Sequence, residues 1–291
     1  MASMRELKGR IGSVNSSQKI TGAMKMISSA KLRKVQSALE HLMPFRNQLQ
    51  NTINNLLGAD SEYQSPLTEQ RPVHRVAFVV FGSDEGLCGA FNVSLFKFLL
   101  EAINRTNDEL GTKVEYVVYP VGKKILSSVS KMNDVEVADV SYLNSKSGAD
   151  AVKRLTDELT NRFLSHEIDR VELLYYHFKS IGSQTLDSRI LLPVSVADLA
   201  GEKYHSHTKP YIYEPDSETI FRTVIPLYVR SNLHETWLES RTSEQAARIM
   251  AMQMANDNAK KLLDSLQLEY NKLRQQNITA ELLDILGGSV Q

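Results

Sequence analysis

One cysteine, Cys88, stands in 291 residues, so no internal disulfide framework is possible and a reducing compartment is expected. The opening Met1-Ala2-Ser3-Met4-Arg5-Glu6 has no positive stretch leading into an apolar one, so no secretory signal is expected. It also lacks the Arg- and Ser-rich, acid-poor character of an organelle transit peptide. No apolar run approaches the ~20 residues needed to cross a bilayer, and any membrane link is expected through partners. Net charge is absent as well: Lys+Arg and Asp+Glu are 34 each, which leaves no overall field toward nucleic acid or membrane. No internal repeat or low-complexity tract appears.

Proline and glycine are scarce at both ends, and long helices are what remains. Between residues 4 and 57 the only proline is Pro44. A heptad grid from Leu7 falls on Ile11, Val14, Gln18, Thr21, Lys25, Ser28, Leu32, Val35, Leu39, Leu42, Arg46, Leu49, Ile53 and Leu56. Ten of these fifteen positions are apolar, enough for a two-stranded coiled-coil helix of on the order of 80 Å. The polar positions cluster from Gln18 to Ser28, where apolar residues stand off the grid at Ile20, Met24 and Ile27; this predicts a phase change. Near the other end a second grid runs Met252, Ala255, Ala259, Leu262, Leu266, Glu269, Leu273, Gln276, Ala280, Leu283. Pro226 is expected to kink or restart that helix. So long an apolar stripe exceeds what a small domain covers, and the partner expected is the other terminal helix, paired antiparallel.

The middle alternates strand and helix. Strands are expected at Arg75–Phe81, Val114–Val121, Val135–Tyr142 and Val171–Phe178, with an edge strand over Ser183–Val194. Helices are expected at Val93–Asn104, Lys123–Met132 and Ala149–His166. The fold class is therefore α/β plus coiled coil: a long antiparallel two-helix coiled coil from both termini with a central Rossmann-like α/β domain. The divisions are 1–57 shaft helix, 58–72 linker, 73–201 α/β domain, 202–216 connecting loop and 217–291 shaft helix.

Acid is missing from one stretch altogether. Between Glu6 and Glu40 there are seven bases and no carboxylate: Lys8, Arg10, Lys19, Lys25, Lys31, Arg33 and Lys34. A solvated helix face mixes signs, so this run suggests an anionic partner along one side of the rod. A protein partner fits better than nucleic acid, because the stretch has no aromatic residues to stack bases.

Chemistry is hard to find. Gly82-Ser83-Asp84-Glu85-Gly86-Leu87-Cys88-Gly89-Ala90-Phe91-Asn92 sits between a strand and a helix, where an α/β enzyme takes a nucleotide. It matches neither G-x-G-x-x-G nor a P-loop and reads as a tight turn. Cys88 has no histidine signalled beside it, and His205-x-His207 has no further ligand at metal spacing. No carboxylate pair, cofactor site or metal site stands out. An α/β nucleotide-binding enzyme with coiled-coil arms remains the alternative.

The two ends together resemble the gamma subunit of F-type ATP synthases. The match is carried by Arg10-Ile11-Gly12-Ser13-Val14, Gln18-Lys19-Ile20-Thr21, Ala23-Met24-Lys25-Met26 and Ala30-Lys31-Leu32-Arg33-Lys34. It continues in Ser243-Glu244-Gln245-Ala246-Ala247-Arg248, Met252, Asn258, Tyr270-Asn271-Lys272-Leu273-Arg274-Gln275 and Ile278-Thr279. Ser83-Asp84 with Gly86-Leu87-Cys88-Gly89 and Phe91-Asn92, and Tyr213-Glu214-Pro215-Asp216, complete it. Gly22, Ser28-Ser29 and Glu85 depart from the family's usual residues, and the redox cysteine pair of the chloroplast relatives is missing.

The resemblance implies a non-catalytic rotor shaft, one copy per complex, standing inside a ring of alpha and beta subunits. Its foot would rest on the membrane c ring beside the epsilon subunit, peripheral on the cytoplasmic side of a bacterial inner membrane. By resemblance Met24, Lys25, Lys31 and Arg33 lie under the beta lever, and Arg274, Gln275 and Thr279 meet the beta catch loop. Tyr211, Tyr213 and Glu214 would belong to the foot. One asymmetric rod in a near-threefold ring would hold three catalytic sites in different states, and turning it would couple ion flow to ATP synthesis.

Overall fold

A computed structural model of the chain describes residues 3–57, 65–111, 114–195 and 213–288. Two helices dominate it: α1 (Met4–Leu57) and, at the far end of the chain, a single helix over Ser217–Gly288. Between them lie β1 (Arg75–Phe81), α2 (Phe91–Leu110), β2 (Glu115–Val121), α3 (Lys123–Val129), β3 (Glu136–Val137), α4 (Ala149–Leu164), β4 (Arg170–Ser180) and β5 (Ser183–Leu192). The last helix is therefore α5.

The strands form one sheet in the order β3-β2-β1-β4-β5, parallel except for the β4–β5 hairpin. β1 is apolar from Val76 to Phe81 because both its faces are covered. Val76, Phe78 and Val80 pack with Leu95 and Leu99 of α2 and with Ile125 of α3. Ala77, Val79 and Phe81 face the opposite way, into a core shared by α4, α5 and the lower part of α1. The third expected strand shrinks to two residues, since only Glu136 and Val137 pair with β2. At the base of the sheet Asp169 accepts the N–H groups of His74 (2.9 Å) and Arg75 (3.0 Å) and the Nε of Arg71 (2.8 Å). Burial opposes ionisation there, but these donors outweigh it and hold the Asp169 carboxyl below its usual range.

α5 starts at an Asp216 cap, whose carboxylate takes the Thr219 N–H and hydroxyl, each at 2.8 Å. The helix does not restart at Pro226: α5 runs on through it, as α1 does through Pro44. Both prolines lie on the exposed side, where water can satisfy the carbonyl each one frees.

The expected phase change in α1 is also absent. Every grid position from Leu7 to Leu56 is buried or half-buried, including polar Gln18, Thr21, Lys25 and Ser28. Off-grid Ile20 and Ile27 are 60% and 55% exposed. The polar residues keep the seam because α5 offers them partners. Asn256 Nδ2 donates to the Gln18 carbonyl at 2.9 Å, and Lys25 Nζ donates to Gln253 Oε1.

On α5 the expected Met252, Ala259, Leu266 and Leu273 face α1, but the seam positions between the later ones are Leu263 and Tyr270. Leu262 and Glu269, each one residue earlier, are exposed. Counting back from the Asn256–Gln18 pair brings Met4 level with about Tyr270. Past that level α5 projects alone for about 27 Å, and every residue from Arg274 to Leu283 is exposed.

Candidate functional site

In an open α/β sheet, ligands bind at the carboxyl ends of the strands. The Gly82–Asn92 turn lies there, and its local chemistry is that of a tight support. A Cβ on Gly82 would come within 2.7 Å of the Ile125 side chain, so only glycine fits. Asn92 accepts the Ser83 N–H at 3.0 Å and donates to Ser83 Oγ at 2.8 Å, while Ser83 Oγ donates to the Glu85 carbonyl at 2.8 Å. Cys88 is buried beside Ser83 and Asn92, at 3.7 and 3.4 Å.

α5 crosses this place and takes hold of it. Ser240 Oγ donates to the Phe81 carbonyl at the end of β1 (2.8 Å), and Ser243 Oγ donates to the Tyr176 carbonyl of β4 (3.0 Å). Arg241 donates to the Ser145 carbonyl at 2.6 Å. Arg248, 4% exposed, donates to the carbonyls of Glu85 (3.1 Å) and Gly86 (3.3 Å) and pairs with Glu244 at 2.7 Å. Burial pushes the Glu244 carboxyl up, and Arg248 opposes that shift. One helix thus binds backbone atoms on both central strands and two loops.

The space left over is a cavity of about 20 Å³ between Gly82, Gly122, Trp237 and Arg241. That holds roughly one water, whereas small-molecule sites measure ~300–1,000 Å³. The nucleotide-enzyme alternative therefore loses its crevice to α5. A larger cleft, about 890 Å³, opens among α1, α2, β5 and α5. Its four arginines already face carboxylates: Arg105 meets Glu172, Arg170 meets Glu109 at 3.6 Å, and Arg46 and Arg189 share Glu235 at 3.1 and 3.6 Å. These pairs tie α1, the sheet and α5 together. Among the described residues no group of three or more His, Cys, Asp or Glu could hold a metal. His205 and His207 lie outside them.

The upper rod presents the opposite character. Its outward residues include Ile20, Met26 and Ile27, with Met26 69% exposed, interspersed with exposed Lys19, Lys31, Arg33 and Lys34. Apolar and basic side chains thus share one free surface, which is the composition of a contact face rather than a solvated one.

The comparisons with known proteins agree with this geometry. The family described as ATP synthase matches residues 3–290. The ATP synthase gamma chain of Phocaeicola vulgatus is 42% identical over 290 residues, covering 100% of both chains. The chain belongs to the ATP synthase gamma-chain family. The gamma chain of Flavobacterium johnsoniae is 39% identical over 293 residues, spanning 99% of this chain and 98% of its own. A central-stalk and c-ring structure of the Tetrahymena thermophila mitochondrial ATP synthase superposes with a TM-score of 0.57 at 25% identity, covering 81% of this chain and 99% of that one. A structure of the Euglena gracilis mitochondrial ATP synthase with OSCP, F1 and c-ring gives 0.63 at 20% identity over 99% of this chain and 93% of that one, a likeness of fold. The gamma chain is the central-stalk, rotor subunit of ATP synthase, and catalysis resides in the beta subunits. No described helix is long and apolar enough to cross a membrane.

The residues singled out from the sequence fall in distinct environments on this gamma-family rod. Met24 is half-buried, and Lys31 and Arg33 are exposed. Lys25 turns inward to Gln253. Arg274, Gln275 and Thr279 are exposed on the projecting end of α5, the Thr279 hydroxyl donating to the Gln275 carbonyl at 2.9 Å. Tyr213 OH donates to the Asn55 carbonyl at 3.2 Å, fastening the base of α1, and Glu214 is exposed. Tyr211 lies outside the described residues. Sequence reasoning missed the outward role of Ile20, Met26 and Ile27 and the inward one of Asn256 and Gln253. Reading both grids together, polar opposite polar, would have found the second pair.

Proposed function

We propose that this chain is the axle of a bacterial ATP synthase, one copy per complex, turning inside a head of alpha and beta subunits. Its sheet domain forms the foot on the membrane c ring beside the epsilon subunit, on the cytoplasmic side of the inner membrane. Torque from ion flow through the ring enters at the foot, around Tyr211, Tyr213 and Glu214. It leaves at the upper rod, where Met24, Lys31 and Arg33 face the beta lever. Arg274, Gln275 and Thr279 on the projecting end of α5 meet the beta catch loop. Lys25 acts from within, by holding Gln253. The asymmetric rod gives each of three surrounding sites a different contact and so cycles them through different affinities. By the same contacts it sets the rate of ATP hydrolysis.

The observation that carries this reading is the upper rod, whose seam includes hydrogen-bonded polar layers while its outer face is apolar and basic. An isolated rod gains nothing from exposing Ile20, Met26 and Ile27; a rod inside a sleeve does. The test is Met24→Lys in the assembled complex, assayed for ATP hydrolysis and for ion pumping into vesicles. Pumping per ATP is expected to fall with assembly retained. Unchanged pumping per ATP would overturn the placement of this face under the lever.

A further inference from the structure

The rod loses the support of the sheet domain at a definite level. The uppermost contacts are Phe178 against buried Leu32, Ala246 and Ile249, and Gly89 close to Ala251. Above them the seam residues are covered while the outer positions of both helices are exposed. Past this level buried Met252 is followed at once by polar seam layers. Asn256 Nδ2 donates to the Gln18 carbonyl at 2.9 Å and lies 3.4 Å from Thr21 Oγ1; Gln253 takes the Lys25 ammonium and donates to both Asp257 oxygens at 2.9 Å.

We propose that Asn256, seated against Gly22, is a positioning residue that sets the axial register of the free half of the rod. An apolar heptad seam tolerates a slip of one repeat, on the order of 10 Å, because leucine meets leucine again. A half-buried amide whose short bond goes to one fixed carbonyl does not. Its partner here is a helix-backbone carbonyl, which cannot swing to follow a displaced helix as a long side chain could. The bond therefore reads the axial position of α1 itself. Gly22 borders it: a Cβ there would stand 3.4 Å from Asn256 Nδ2, at the edge of ordinary contact. Polar seam positions cost stability and specify pairing, and here they stand where the rod first depends on pairing alone. The register so fixed also sets how far Arg274 and Thr279 stand beyond the exposed Ile20 and Ile27.

The experiment uses the assembled complex with Cys88→Ala and spin labels on Ser13→Cys and Lys261→Cys, both exposed positions on the free half. Asn256→Leu restores an apolar seam that packs, and Asn256→Asp keeps the shape while removing both donors. The parent is expected to give one narrow interlabel distance. Both variants are expected to assemble, to broaden or split that distance, and to lower pumping per ATP at least twofold with hydrolysis retained. The distance readout is independent of the rotor reading, and the pumping readout rests on it. A single narrow distance, unshifted in both Asn256 variants, would overturn the proposal.

Discussion

The lower and upper halves of the rod use the same two helices and are held by different forces. In the lower half Leu32, Val35, Leu49, Ile53 and Leu56 of α1 are at most 8% exposed, and four of them join the core of the sheet domain. Their positions are fixed by burial on several sides. In the upper half only one side is covered, and the seam alternates apolar layers such as Leu7 and Leu266 with hydrogen-bonded ones. A helix pair fully supplied with neighbours can be specified by shape. One with a single neighbour needs directional bonds, and its remaining faces are free for other molecules.

The largest test of that contrast is at the junction. Arg248→Ala strands the buried Glu244 without its cation and frees two loop carbonyls, and should cost ~3–5 kcal/mol in urea unfolding of the full-length chain. Arg248→Lys should recover little of it, since an ammonium cannot reproduce the planar fork. Next come paired truncations. Ile53→Ala, in the lower half, should cost ~3 kcal/mol, and Leu266→Ala, in the upper, ~2 kcal/mol, because exposed neighbours can collapse into the smaller gap. Equal losses in thermal melts would break the comparison.

A smaller effect belongs to the base of the sheet, with no counterpart in the free rod. Asp169→Asn should cost about 1–2 kcal/mol at neutral pH. The carboxyl is held below its usual range, so its contribution is complete above about pH 4 and is lost as the pH falls below that. Acid titration of the parent should therefore converge on the variant, and parallel curves would exclude the assignment. Smallest in stability is Ile27→Ser, within ~0.5 kcal/mol because the side chain is exposed. In the complex it should still lower pumping per ATP; no change there would remove the outer face from the contact.

Legibility in the sequence followed the same division. β1, β2 and β4 could be read because strands covered on both faces become continuous apolar runs. Both long helices were legible from heptad spacing, and the gamma-family motifs at the two ends pointed to the rotor. The upper seam was not legible, because a hydrophobic grid treats Gln18, Thr21 and Lys25 as a loss of phase. Only the opposite strand of the pair, with Asn256 and Gln253, shows that the phase continues. The α5 seam slipped by one residue at the adjacent pair Leu262-Leu263, where composition cannot choose between neighbours and geometry does. Pro226 obeyed its local preference less than its position on the exposed side of a long, well-packed helix. The role of Arg248 depended on two carbonyls about 160 residues earlier in the chain, which no local pattern encodes.

The pairing of the first helix with the last also sets a timetable for synthesis. α1 ends at Leu57 and α5 opens at Ser217, so a ribosome working at ~5–20 residues per second leaves the first helix without its partner for roughly 8–32 s. During that interval Leu7, Ile11 and Val14 of the upper seam have nothing to cover them, while the sheet can close as soon as Leu192 has emerged. Chains arrested before Ser217 should bind a hydrophobic dye and lose α1 to protease, and completed chains should do neither. The nascent chain thus carries a helix whose apolar stripe stays open until its own last quarter arrives to close it.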